Sequence, residues 1–146
     1  IMKVSAGVIF YTKDNKVLLA HATGQKHWDI PKGQPEEGED FIDAAIRECK
    51  EEIGFPIEDK DYLEALGIMD YNSQKKLALF LYMGPTFPNV ENCICSSFFT
   101  DRWNNEILEV DAFQYVPLEK IDEYATKNLS KTLKNAIEKA KDKFNL

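Results

Sequence analysis

Residues 40–54 constrain the fold of this 146-residue chain more than any other stretch. Asp40 offers a helix N-cap, and Gly54 followed by Pro56 supplies a stop. With residues spaced about 100° apart, Ile42, Ala45, Ile46, Cys49 and Ile53 fall on one stripe. This pattern predicts a helix over 40–53 with one apolar face that must be buried against another layer. The flanking sequence is β-rich. Segments 3–12 and 16–22 are expected as strands around an Asp14-Asn15 turn, and 21–34, with Trp28 and Pro31-Lys32-Gly33, reads as a loop. Further strands are expected at 63–71, 76–83, 94–99 and 109–117. The spacing of Leu129, Leu133, Ile137, Ala140 and Phe144 predicts a C-terminal helix over about 129–144. Strands, a helix, more strands and a last helix predict an α/β chain. The expected architecture is an α/β/α sandwich with a mixed central sheet, in one domain over 1–146.

The polar flank of the first helix is unusual. Glu48 and Glu52 are i,i+4 neighbours and Glu51 lies on the same flank. Like charges at that spacing oppose a helix by a few tenths of a kcal/mol, on the order of 0.2–0.5 per pair. Such a cluster reads either as a solvated acidic face or as the seat of a hard divalent cation. Magnesium takes one or two carboxylates together with substrate phosphate oxygens, and it removes the mutual repulsion.

Composition narrows the classes of function. Lys and Arg number 18 against 25 Asp and Glu, a net charge of −7 with neutral histidines. That balance argues against nucleic acid as a partner, because such binding draws on Lys and Arg against phosphates. A smaller phosphate-bearing ligand remains compatible if divalent cations screen the carboxylates. No apolar run approaches the roughly 20 residues needed to cross a bilayer, and no signal peptide opens the sequence, so no membrane partner and a cytoplasmic location are expected. Ile1 ahead of Met2 leaves Met2 the expected natural start. Three cysteines, an odd number, fit a reducing compartment, and Cys93 and Cys95 read as buried strand residues.

From Gly33 the sequence runs Gly33, five residues, Glu39, seven residues, then Arg47-Glu48-Cys49-Lys50-Glu51-Glu52-Ile53-Gly54-Phe55. This resembles the Nudix box, G-x5-E-x7-R-E-U-x-E-E-x-G-U, with all seven fixed letters in place. Cys49 stands where the box has a bulky aliphatic residue, and it falls on the core stripe. A chance match is on the order of 10⁻⁸ per starting position. The resemblance implies a Nudix-type sandwich and a metal-dependent pyrophosphohydrolase acting on a nucleoside diphosphate linked to another moiety. The implied cofactor is Mg2+, with Mn2+ as a substitute.

Carried over by position, the resemblance makes Glu48, Glu51 and Glu52 metal ligands, with Glu48 alternatively the base that activates water. Arg47 would orient the carboxylates and Glu39 would organise the cluster. Gly33 would permit a tight turn that lets the Lys32 carbonyl face the metal, and Gly54 would close the helix. Glu109 resembles the Glu of a later family segment and is a second candidate for base or ligand. The lead-in His27-Trp28-Asp29-Ile30-Pro31-Lys32-Gly33 resembles that of asymmetric diadenosine tetraphosphate hydrolases. The resemblance makes Lys32, His27 and one of Lys75 and Lys76 candidate phosphate contacts. Tyr71 and Phe113 are candidate base-stacking surfaces; for Phe113, as for Trp28, a place in the core is the other reading. A dinucleoside polyphosphate is the expected substrate. The alternatives are ADP-ribose or another ADP-linked compound, an oxidised nucleoside triphosphate, an RNA 5′ end, and a non-catalytic nucleotide-sensing module. A monomer or homodimer is expected.

Overall fold

Period-two alternation in the strands sorts their side chains into two cores, and that sorting sets the architecture. The computed structural model describes residues 2–146, so the expectation about Ile1 lies outside it. The elements run β1 (Lys3–Ile9), β2 (Lys16–Ala22), β3 (Trp28–Asp29), β4 (Lys32–Gly33), α1 (Phe41–Ile53), β5 (Leu63–Asp70), β6 (Lys75–Tyr82), β7 (Phe98–Thr100), β8 (Glu106–Leu108), β9 (Val110–Pro117) and α2 (Lys127–Phe144). A four-stranded sheet has the order β4-β1-β6-β5, and a three-stranded sheet the order β3-β2-β9. β1 and β6 are parallel and the other pairs of the larger sheet antiparallel, so that sheet is mixed. β7 and β8 pair separately.

Ala6, Val8, Leu18, Ala20 and Phe80 face α1, where they meet Ala44, Ala45, Cys49 and Ile53. Their neighbours in sequence, Ile9, Val17, Leu19 and Leu79, face the other way onto Leu129, Leu133, Ile137 and Ala140 of α2. Helix, sheet and helix therefore stack as the expected α/β/α sandwich. Ala44 joins the buried face of α1 beside the expected stripe.

The helix ends follow their local chemistry. Asp40 is the extended N-cap residue of α1, although its side chain makes no capping hydrogen bond. Gly54 takes φ 74°, the left-handed conformation glycine favours, and its N–H donates to the Lys50 carbonyl at 3.0 Å. Thr126 Oγ1 accepts from the Leu129 N–H at 3.2 Å, which starts α2 at Lys127, two residues before its apolar stripe.

Four expectations need correction. The 94–99 segment is a strand only from Phe98, because its earlier N–H groups go to a helix end. Ile94 N–H donates to the Ile53 carbonyl at 3.0 Å and Ser96 N–H to the Glu51 carbonyl at 2.8 Å, pairing carbonyls that the last turn of α1 leaves open. Cys93 and Cys95 therefore lie outside any strand, the first half-buried and the second buried. The 21–34 loop contains β3 and β4. The last strand opens at Val110 rather than Glu109, preceded by the unforeseen β8. Among the described residues no helix is long and apolar enough to cross a membrane.

Leu133 is fully buried between α2 and the sheet. Leu133→Ala should lower unfolding free energy by about 2–5 kcal/mol in chemical denaturation. A loss below about 1 kcal/mol would contradict this packing.

Candidate active site

Arg47 sits at the centre of a web of carboxylates. Its Nε and Nη2 donate to the two oxygens of Glu39, both at 2.9 Å, the bidentate pairing that a planar guanidinium favours. Nη2 also donates to the Gln34 carbonyl at 3.1 Å. Nη1 reaches Glu48 at 3.3 Å and Glu51 at 3.2 Å. The Glu39 carboxyl is held below its ordinary value, first by the hydrogen bond from Arg47. Arg47 thus ties the loop before α1 to the acidic flank of the helix.

Gly33 contributes space. It lies in β4 opposite Ala6, and a Cβ built on it would overlap the Glu48 carboxylate. Its place in a strand replaces the tight turn expected from the sequence.

Glu52 points towards a cavity of about 120 Å³, lined also by Asp29, Lys32 and Glu109. Glu52 Oε1 accepts the Lys32 backbone N–H at 3.0 Å, while Lys32 Nζ pairs with Asp29 at 3.1 Å. Burial pushes the Glu52 carboxyl up to about 8, partly offset by that N–H, with Glu48 and Asp29 adding repulsion. Burial likewise pushes Glu48 up to about 7 against the pull of Arg47, and Glu51 and Glu109 raise it further. Glu109 enters from the β8–β9 junction. Its N–H donates to the Ser97 carbonyl at 3.0 Å and its carbonyl accepts from Thr23 N–H at 3.1 Å.

Among the described residues no three His, Cys, Asp or Glu side chains close into a ready-made metal cage. In this arrangement Arg47 holds Glu48 and Glu51, while Lys32 holds Glu52. The donor set still suits magnesium, which keeps waters and shares its shell with phosphate oxygens instead of needing an all-protein cage. Two half-buried glutamates with raised proton affinity also lack the positive charge that a divalent cation would bring. Glu48, Glu51 and Glu52 could hold such an ion.

The structure separates the remaining candidates. Lys75 lies near Lys32, Asp29 and Lys3; burial and then the Lys32 charge lower its proton affinity. Tyr71 lies beside Lys32 and joins its hydroxyl to that of Thr126 at 3.2 Å. Lys76 points to the opposite face and pairs with Asp70 at 3.6 Å. Phe113 packs against the α1-side core, and His27 lies in the connection between β2 and β3; neither lines the cavity. Asp29 and Lys3 were missed. The Asp29–Lys32 spacing of three residues was a readable signal, whereas Lys3 reaches the site only through its register opposite Lys75.

The chain belongs to the NUDIX domain family, whose model matches residues 2–139. It is a Nudix hydrolase with relatives named as pyrophosphohydrolases. An uncharacterized 17.7 kDa protein from the e-segB intergenic region of Enterobacteria phage T4 is 41% identical over 123 residues, covering 78% of this chain and 82% of that protein. The RNA pyrophosphohydrolase of Pelagibacter ubique is 27% identical over 99% of this chain and 94% of its own length. The m7GpppN-mRNA hydrolase of Saccharomyces cerevisiae is 32% identical over 80% of this chain, a region that spans only 11% of the yeast protein. A C. elegans Ap4A hydrolase shares the fold with TM-score 0.58 at 20% identity, over 99% of this chain and 98% of its own. An ADP-ribose pyrophosphatase from Streptococcus suis does so with TM-score 0.64 at 18% identity, over 96% and 92%.

Gly33→Ala tests the packing of β4 against Glu48. The variant should keep its fold, because the obstructing atoms are the movable end of a side chain. Its affinity for Mn2+, measured by calorimetry, should fall at least about tenfold as Glu48 is displaced. Unchanged affinity would remove Glu48 from the ion site.

Proposed function

We propose that the chain is a divalent-metal-dependent pyrophosphohydrolase whose substrate is a dinucleoside polyphosphate. The observation that carries this reading is the meeting of two opposite charge groups at one small cavity. Glu52 of α1 lines it together with Asp29 and Glu109, and Lys32, with Lys75 and Lys3 beyond it, lies along the other part. The lysines offer point charges for a run of phosphates longer than a single pyrophosphate. In this reading Glu48, Glu51 and Glu52 hold the ion. When bound there, Mg2+ or Mn2+ supplies positive charge against the phosphate oxygens and so stabilises the charge that develops during cleavage.

Glu109 takes the proton from the attacking water. Among the described residues its carboxylate has no ion pair or hydrogen bond, whereas Glu48 is engaged by Arg47 and Glu52 by the Lys32 N–H. A side chain free of such partners can follow a proton donor through the reaction. Arg47 and Glu39 act through the carboxylates they orient. Three free thiols fit a reducing, cytoplasmic setting.

A second reading, hydrolysis at an RNA 5′ end, is favoured by the similarity to the Pelagibacter RNA pyrophosphohydrolase, which aligns along nearly the whole chain. The net charge of −7 works against holding a long polyanion. A side-by-side panel with magnesium would separate the readings: diadenosine tetraphosphate, ADP-ribose, flavin adenine dinucleotide, an oxidised guanosine triphosphate and a 5′-triphosphorylated oligoribonucleotide. Diadenosine tetraphosphate should give the highest kcat/KM. A clear preference for the oligoribonucleotide would install the second reading, and no turnover of any compound would leave a binding module.

On the best substrate, Glu52→Gln should lower kcat by at least about 10²-fold with the fold intact. Glu109→Gln should lower kcat with little change in affinity; a melting shift with full turnover would make Glu109 structural. Lys75→Ala should raise KM for the tetraphosphate more than Lys76→Ala, and the reverse order would contradict the placement of Lys75 beside Lys32.

A further inference from the structure

The cavity between Glu52 and Glu109, about 120 Å³, is too small for a nucleoside. Pockets for small organic ligands run from about 300 Å³ upward. A larger groove of about 670 Å³ lies where the end of β5 and the turn into β6 face α2. Tyr71 connects the two regions, lining this groove while lying beside Lys32.

We propose that this groove holds the second nucleoside of the dinucleoside polyphosphate, with Asn128 and Asn135 reading its base. The proposal rests on the reading of the activity given above and adds a specificity site to it. The sheet order β4-β1-β6-β5 puts Lys32 at one edge, Lys75 on the third strand and Met69 on the far edge. Lys32 is level with Gly7 and Leu79, four residues along β6 from Lys75, and Lys75 closes the turn that lines the groove, its carbonyl accepting the N–H groups of Tyr71 and Asn72 at 3.3 and 3.2 Å. A phosphate chain running from Lys32 to Lys75 would leave its distal nucleoside at the groove that Tyr71 and Asn72 line.

The lining suits a base. Met69 and Tyr71 supply a polarizable thioether and an aromatic face. Tyr71 is fixed through Thr126, the cap of α2, so little ordering remains to be done on binding. Asn128, Lys131 and Asn135 follow one another at helical spacing along an exposed face of α2. Each carboxamide offers a donor and an acceptor, the pairing with which Asn meets an adenine edge. Asp70 and Lys131 leave the groove without net formal charge, which favours a neutral base over a free anion.

The test compares diadenosine tetraphosphate with adenosine 5′-tetraphosphate, which has the same phosphates and one nucleoside fewer. Alanine at exposed positions 128 and 135 favours the helix, so Asn128→Ala/Asn135→Ala should fold. The variant should raise KM for the dinucleotide at least about fivefold with kcat unchanged, as expected for losing hydrogen bonds made equally in ground and transition states. KM for adenosine 5′-tetraphosphate should change by less than about twofold. Equal effects on both compounds, or none on either, would overturn the subsite. Titration of AMP into the metal-free protein gives an independent readout by nuclear magnetic resonance. Shifts of the Asn128 and Asn135 side-chain amides support the subsite even if no compound is hydrolysed; their absence overturns it whether or not the activity stands.

Discussion

The Arg47–Glu39 pairing joins the two parts of the chain on which the site depends. Two hydrogen bonds of 2.9 Å fix the guanidinium against a loop residue, and its remaining nitrogen then faces Glu48 and Glu51 one turn apart on α1. A lysine could supply the charge but could not bind Glu39 through two parallel bonds while also reaching the helix. Without this anchor, crowded carboxylates would separate towards solvent. With it, Glu48 is held close to Gly33, where any larger residue would compete for the same volume. Like-charge repulsion is thus kept within a rigid frame.

That frame is completed from the other side by chain segments serving two purposes. Residues 94–96 pair with the open carbonyls at the end of α1, and the same run continues to Ser97, whose carbonyl receives the Glu109 N–H. The satisfaction of a helix end therefore also fixes the backbone that carries Glu109 opposite Glu52. β4 has a comparable double role, with the Lys32 N–H bonded to Glu52 and Gly33 leaving room for Glu48. Both short segments gain their order from the helix they face, not from long ladders of their own.

This explains which features were legible in the sequence. α1 announced itself through its stripe, Asp40 and Gly54, all local signals, and the Glu spacing followed from helical periodicity. The α/β/α sandwich followed from the order of strands and helices along the chain. Residues 94–97 resisted reading because β propensity cannot show that a distant helix end will take their N–H groups. Gly33 suggested a turn because a close approach by Glu48 leaves no trace in neighbouring residues. Between Lys75 and Lys76 only strand register decides which side each faces, and a shift of one residue would exchange them. Lys3 was invisible for the same reason, since its place beside Lys75 comes from a parallel pairing across 72 positions of sequence.

The separation of charge within the site would reconcile an acidic chain with the phosphate-rich ligand proposed for it. A net charge of −7 repels a polyanion at long range, but that repulsion is screened over about 8 Å at physiological ionic strength. Within that distance the local arrangement matters more than the total. Lys32, Lys75 and Lys3 share one side of the larger sheet, while Arg47 is already paired with its glutamates. Lys75 is destabilised in its charged form chiefly by burial and then by its lysine neighbour, so an incoming phosphate relieves a cost already present in the free protein. The acidic flank of α1 carries the complementary cost, crowded negative charge that a divalent ion would relieve. Neither half favours the bare nucleotide or the bare ion indiscriminately. Under the proposed function, an ion and a phosphate chain arriving side by side would relieve both costs, so that metal and substrate affinities would be mutually dependent.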